Sequence, residues 1–481
     1  VVVSAGSAHE ASYRRLVLFV TTLGAFMTPL DGSIVSVALP TIAAALQMGY
    51  AQVVWVPIAY LLCLGTLLLT FGRLSDVRGR KLFFATGFSI FTVASALCGL
   101  AQSGEQLIVF RGAQGVGAAM VGATSAAIVT DTFPPKERGK ALGVNTMAVY
   151  TGLSVGPTLG GLLVQALGWR SIFYVNIPIG IAVVSLAAMR LRDPAVDRPQ
   201  NRGFDLPGAA SFSGGLSLVL LALTLGGGIR WTDPLILAAL PGGLALLALF
   251  LLVERREGKE ALLDLGLFRG NRLFAAANLA ALLNYTSISG VTFFISFYLQ
   301  RVMGYTPAQA GLMLISMPVP MALLAPVSGW LSDRFGSRAF ASVGMALISA
   351  ALFLLSQLGL DSPLLHVVAG LFTLGVGMGL FSSPNTSSVM GSVEKPRLGV
   401  ASGTLATMRF MGQSLGLAIM GAVAATVVPP EVLAAIFGGG GKPVAAEAFI
   451  QGLSRAFLVG AAISLAGTLT SMVRGRERKQ A

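Results

Sequence analysis

Apolar stretches of bilayer length recur along the whole chain, separated by short polar gaps. They are centred near Phe26, Leu61, Phe91, Met120, Gly152, Val183, Leu218, Leu244, Thr292, Val319, Ile348, Leu374, Gly412 and Ile463. An apolar run of about 20 residues covers a hydrocarbon core ~30 Å thick as an α-helix. The pattern therefore predicts an all-α integral membrane protein with fourteen transmembrane helices. The gaps leave no room for a folded soluble domain of any size.

Charge sharpens this picture. The chain carries 33 Lys and Arg against 20 Asp and Glu, a net +13, yet only 11% of its residues are charged. Soluble domains carry about 25%. With the amino end placed in the cytoplasm, the basic residues fall almost entirely in cytoplasmic gaps and tails. Only Arg170, Arg230, Arg301 and Lys442 fall outside, and Arg111, Arg409 and Arg455 lie within apolar stretches. This is the positive-inside bias of a cytoplasmic (inner) membrane protein, so the net charge reports topology and not nucleic-acid binding. Both termini are expected in the cytoplasm.

Gly72-Arg73-Leu74-Ser75-Asp76-Val77-Arg78-Gly79-Arg80 returns as Gly329-Trp330-Leu331-Ser332-Asp333-Arg334-Phe335-Gly336-Ser337-Arg338, with Asp76 and Asp333 standing 257 residues apart. Both copies follow an even-numbered helix, which predicts two halves of like orientation built as parallel repeats. The spacing exceeds what six helices need. It predicts a six-helix bundle over 1–200, a two-helix linker over 201–260 and a second six-helix bundle over 261–481.

Within the first helix stands Leu30-Asp31-Gly32-Ser33. Asp31 lies about 15 residues beyond Leu16, roughly 22 Å along a helix, and is the one acid placed deep in any apolar run. An isolated carboxylate at membrane depth is costly and burial disfavours its charged form, which makes Asp31 a proton-carrier candidate. The competing reading is a structural carboxylate paired with an arginine. In the fourth helix, Arg111 remains charged at any relevant pH and can bias a nearby carboxylate, with Gln114 one turn along the same side as a further candidate for the substrate cavity. Its alternative is to snorkel to the outer interface. In the fifth helix, Gly152, Gly156 and Gly160 recur four apart around Pro157, a pattern that allows close helix contact and a bend. Asp76, Arg78 and Arg80 near Asp131 suggest a charge cluster at the cytoplasmic face.

These motifs, with Gly168-Trp169-Arg170-Ser171-Ile172-Phe173-Tyr174-Val175-Asn176-Ile177-Pro178 and Phe204-Asp205-Leu206-Pro207-Gly208, resemble the major facilitator superfamily. Within it the chain is similar to the fourteen-helix drug/proton antiporters of multidrug efflux type, essentially along its whole length. The resemblance implies that Asp31 carries protons with Arg111 as its coupling partner and that the Gly152–Gly160 pattern marks export. It also implies that Gly72, Asp76, Arg78, Gly79, Arg80 and Asp131, with Asp333 and Arg334 in the second copy, latch the outward-facing state shut inside. Val77 departs from the basic residue usual at its position.

Polar and adaptable residues in the second half are candidates for the substrate cavity: Asn278, Asn284, Tyr285, Tyr298 and Asn385, then Met408, Arg409, Met411 and Gln413. For each, a helix–helix hydrogen bond competes with substrate contact. The chain offers no phosphate-cradling Gly-Lys-Ser/Thr loop, and His9, His366, Cys63 and Cys98 do not form a metal or nucleophile cluster, so neither a metal, a cofactor nor an enzymatic activity is expected. The expected function is proton-driven export of lipophilic or amphipathic compounds by a monomer, with the lipid bilayer and protons as its other partners. A lone deep acid favours neutral or monocationic cargo. Two readings compete: an exporter of a physiological lipid, fatty acid or secreted metabolite, and a membrane sensor that transports nothing. The topology has a direct check. On intact cells, an impermeant thiol reagent should modify a cysteine placed at Lys442 and spare one at Arg476; the reverse pattern would refute it.

Overall fold

The computed structural model describes residues 2–192, 205–226, 233–257, 265–394, 397–429, 432, 436 and 443–473. Fourteen helices within them are long and apolar enough to cross a membrane, one at each stretch anticipated above. They are α1 (Glu10–Ala45), α2 (Tyr50–Arg78), α3 (Arg80–Leu100), α4 (Gly104–Thr132), α5 (Lys140–Leu167), α6 (Ser171–Arg190), α7 (Pro207–Gly226), α8 (Pro234–Arg256), α9 (Arg272–Val302), α10 (Pro307–Ser332), α11 (Ser337–Leu355), α12 (Leu364–Gly391), α13 (Val400–Val427) and α14 (Ala446–Met472). In a bilayer every backbone N–H and C=O must find its partner within the protein, and helices achieve this segment by segment.

Helices α1 to α6 pack on one another, as do α9 to α14. Helix α7 lies against both α2 and α13, while α8 packs on α7 with Phe212 and Phe250 rings 5.0 Å apart. The repeated loop is a repeat of geometry as well as letters. Gly79 and Gly336 both turn the chain between helices at positive φ, +108° and +89°, a region open to glycine at little cost. Each donates its N–H to a serine carbonyl four residues back, Ser75 at 2.9 Å and Ser332 at 2.8 Å.

The two six-helix groups meet at the end away from this loop. Helix α9 finishes in a π-helical turn, Tyr298–Val302. From it, Gln300 Nε2 donates to the Val37 carbonyl of α1 at 2.9 Å, and Arg301 Nη2 donates to the Pro40 carbonyl. Across the same end, Tyr50 Oη donates to the Gly421 carbonyl at 2.5 Å. Close packing between the halves continues toward the loop along α2 and α13, where a Cβ added at Gly65 would come 2.9 Å from Phe410 and one at Gly403 would come 2.6 Å from Leu69. The side-chain hydrogen bonds to backbone that tie the halves lie at the end away from the repeated loop.

Gln300 and Arg301 bridge directly to α1, at about 1 kcal/mol for each hydrogen bond. Replacing both by alanine should shift the closed-to-open ratio at this end about tenfold or more. Spin labels at the facing ends of α1 and α9 would report it as growth of a longer-distance population. An unchanged distance distribution would remove these contacts from the gate.

Candidate functional site

Asp31 is 1% exposed, enclosed by helices of its own bundle. Arg111 Nη1 donates to its Oδ2 at 2.5 Å, and the Gln114 side-chain amide donates to Oδ1 at 2.8 Å. A third donor, Asn176 Nδ2, reaches the same Oδ1 at 3.0 Å from α6. Ser95 on α3 closes the network, accepting from Gln114 at 2.7 Å and from Asn176 at 3.3 Å. The Arg111 guanidinium also lies 4.3 Å from the ring centroid of Tyr60 on α2. At 1% exposure Arg111 does not snorkel.

Five helices thus converge on one ion pair. Taking two charges out of water costs several kcal/mol per ion, and only close geometry with further hydrogen bonds offsets it. Asp31 has three side-chain donors here. The network is not fully saturated, since Arg111 Nε and Asn176 Oδ1 have no hydrogen-bond partner. Asp31, Arg111 and Gln114 come together as their motifs suggest, whereas Ser95, Tyr60 and Asn176 join them without having been expected. Asn176 stands in the quoted signature at the start of the long segment of α6, Asn176–Arg190, and its position there was the available signal.

The glycine pattern of α5 makes two contacts at once. A Cβ at Gly152 would come 2.5 Å from the Phe26 carbonyl oxygen, one at Gly156 would collide with the Ser33 hydroxyl, and one at Gly160 would lie 3.1 Å from Ile34. This face seats α5 on α1. The neighbouring face meets α10 of the other bundle, where Gly311 abuts the Pro157 carbonyl and Gly161 abuts that of Pro307.

At the repeated loop, Arg80 donates to Asp76 at 2.8 Å and to Asp131 at 2.5 Å. All three belong to the first bundle, so in this conformation the cluster ties α2, α3 and α4 together and does not span the cleft. Arg78, expected in the cluster, instead points into solvent, because the turn at Gly79 puts Arg80 and not Arg78 over the α4 end. In the second copy, Arg334 stacks 4.1 Å from the Trp330 ring centroid, and the Asp333 side chain lies outside the described residues. Ser337 and Ser388, each 257 residues beyond Arg80 and Asp131, hydrogen-bond hydroxyl to hydroxyl. A charged contact in one half is a neutral one in the other.

The cavity candidates divide. Tyr285 and Arg409 face one another, the guanidinium 5.7 Å from the ring centroid. Met408 and Met411 are partly buried on other faces of the same helix, and Gln413 is half-buried one turn on from Arg409. Tyr298 does not line the cleft: its hydroxyl donates to the Gly359 carbonyl at 2.7 Å, pinning the π-helical turn to a loop. Asn284 turns away as well, its amide 3.2 Å from Met345 Sδ on α11. Asn278 is fully buried and donates to its own helix at the Phe274 carbonyl, 2.9 Å away; Asn385 is buried in α12. Tyr150, unremarked in the sequence, bridges the bundles, its hydroxyl 3.1 Å from Ser382 Oγ.

A family model described as Major Facilitator Superfamily matches residues 21–417 and again 277–469. The chain belongs to that superfamily. It is 37% identical over 405 residues to the riboflavin transporter RibZ of Clostridioides difficile, covering 84% of this chain and 86% of that one. It is 36% identical over 411 residues to the multidrug resistance protein Stp of Mycobacterium tuberculosis, covering 85% and 76%. In fold it matches a bacterial homologue of the human lysosomal transporter Spinster in an inward-facing conformation, with a TM-score of 0.70 at 18% identity over 97% of each chain. This facilitator is therefore a multi-pass membrane transporter and not an enzyme.

The α1–α5 seam gives a local test. Gly156→Ala forces a methyl group onto Ser33, and overpacking of this kind costs about 1–3 kcal/mol. The purified variant should melt at a lower temperature, and adding Ser33→Ala should recover part of the loss. A variant as stable as the parent would show that the seam is not close-packed.

Proposed function

We propose that this facilitator exports amphipathic compounds across the cytoplasmic membrane in exchange for protons, by alternating access of its two bundles. The observation that carries the reading is the Asp31–Arg111 pair: a carboxyl group enclosed among helices, held by a cation that does not titrate and by two side-chain amides. The ionised carboxylate accepts all three donors. A protonated Asp31 must find an acceptor for its own O–H and weakens its hold on Arg111, so the two protonation states favour different arrangements of α1, α4 and α6. Proton binding at one membrane face and release at the other then bias a two-state equilibrium.

Helix α5 is the mechanical link. It is seated on α1 by its glycine face and touches α10 of the opposite bundle by its next face. A shift of α1 on protonation is thereby passed to the contact between the halves. The charge bias of the loops supports a reading in which the repeated loop and both termini lie on the cytoplasmic side. Likeness to a multidrug resistance protein supports export of foreign compounds. Likeness to a riboflavin transporter supports a second reading, in which the cargo is a metabolite on the same fold.

Purified protein in sealed liposomes under a measured pH gradient tests both readings, using a panel of neutral, cationic and anionic amphiphiles together with riboflavin. Asp31→Asn should abolish gradient-driven export and retain passive exchange. It also leaves Arg111 unpaired, at a cost of about 3–5 kcal/mol. Asp31→Asn combined with Arg111→Gln should therefore restore stability without restoring coupling. Active export by Asp31→Asn at the parental rate would sink the proposal.

A further inference from the structure

The second bundle carries a charge that the coupling network does not use. Arg409 sits about a third of the way along α13, its guanidinium 5.7 Å from the ring centroid of Tyr285 and 5.9 Å from that of Phe410. The ion pairs among the described residues engage Arg14, Arg80 and Arg111, and none engages Arg409. Its Nε is buried without a hydrogen-bond partner. Aromatic faces hold a guanidinium in place but do not neutralise it.

The surroundings locate this charge at the cleft. Tyr285 comes from α9 and Tyr150 from α5, within electrostatic reach of both Arg409 and Tyr285. The Tyr150 hydroxyl contacts Ser382 of α12 across the bundle boundary. Side chains of α9 and α5 thus approach one guanidinium that lacks a counter-ion among the described residues, and Tyr150 ties these surroundings to α12.

We propose that Arg409, stacked beside Tyr285, is a subsite for the single carboxylate or sulfonate group of an amphipathic cargo. The inference rests on the reading that the cleft between the bundles holds the cargo. It departs from the expectation of neutral or monocationic compounds, which rested on Asp31 being the one deep acid. Asp31 is enclosed by Arg111, Gln114 and Asn176, and the charge left without a counter-ion at the cleft is positive.

The test compares 11-(dansylamino)undecanoic acid with its methyl ester. Each is titrated against purified full-length protein in nanodiscs at alkaline pH, read by energy transfer from tryptophan, with empty nanodiscs as the blank. A hydrogen-bonded charge pair of this kind corresponds to about tenfold or more in affinity. The parent should bind the acid tighter than the ester by about that factor, Arg409→Gln should bring the acid down to the ester, and Arg409→Lys should keep most of the preference. Equal affinity for acid and ester in the parent, equal loss of both in Arg409→Gln, or binding of neither probe would overturn the proposal. The comparison within the parent and the lysine variant decides the matter if Arg409→Gln does not fold. No proton gradient is applied, so a failure here is separate from a failure of proton coupling.

Discussion

Everything distinctive about the first bundle is arranged around the cost of keeping two opposite charges out of water. Asp31 and Arg111 are both 1% exposed, and neither would be tolerated there alone. The solution recruits a side chain from each of five helices, so the pair is also a fastening point for the bundle. Any event that changes the charge of Asp31 must be felt by α1, α3, α4 and α6 together. A packed apolar core of the same size would be stable but would have nothing to switch.

The two halves share a backbone design and differ in where they place charge. Gly79 and Gly336 make the same turn, and Ser75 and Ser332 return the same hydrogen bonds. Yet Arg80 and Asp131 in one half correspond to Ser337 and Ser388 in the other. Both contacts join neighbouring helices at the end that carries the repeated loop, but only the charged one responds to ionic strength and to a rival charge arriving from the other half. Repetition supplied the scaffold, and divergence at matched positions supplied the asymmetry.

The fourteen spans, the repeat and the central trio of Asp31, Arg111 and Gln114 were legible in the sequence, because length, apolarity and isolated charge are local properties. The rest depends on which way a side chain points. Asn176 meets Asp31 from 145 residues away; its place in the signature at the start of α6 singles it out, but does not say which side chain it meets. A polar residue in an apolar run reads alike whether it faces the cleft or a neighbouring helix. Asn284 and Tyr298 were candidates for the first role and fill the second. The π-helical turn at Tyr298–Val302 adds a residue to its turn and rotates the chain beyond it, which no regular helical period anticipates.

The closed end of the cleft is held by side chains that donate to backbone carbonyls: Gln300 to Val37, Arg301 to Pro40 and Tyr50 to Gly421. A carbonyl oxygen survives every substitution at its own residue. Change in the strength of this gate through side-chain chemistry therefore enters at the three donors. The acceptor positions are confined by packing instead: Val37 is fully buried, and a Cβ at Gly421 would come 2.9 Å from the Tyr50 hydroxyl, so the donors are the part of the gate that can be retuned.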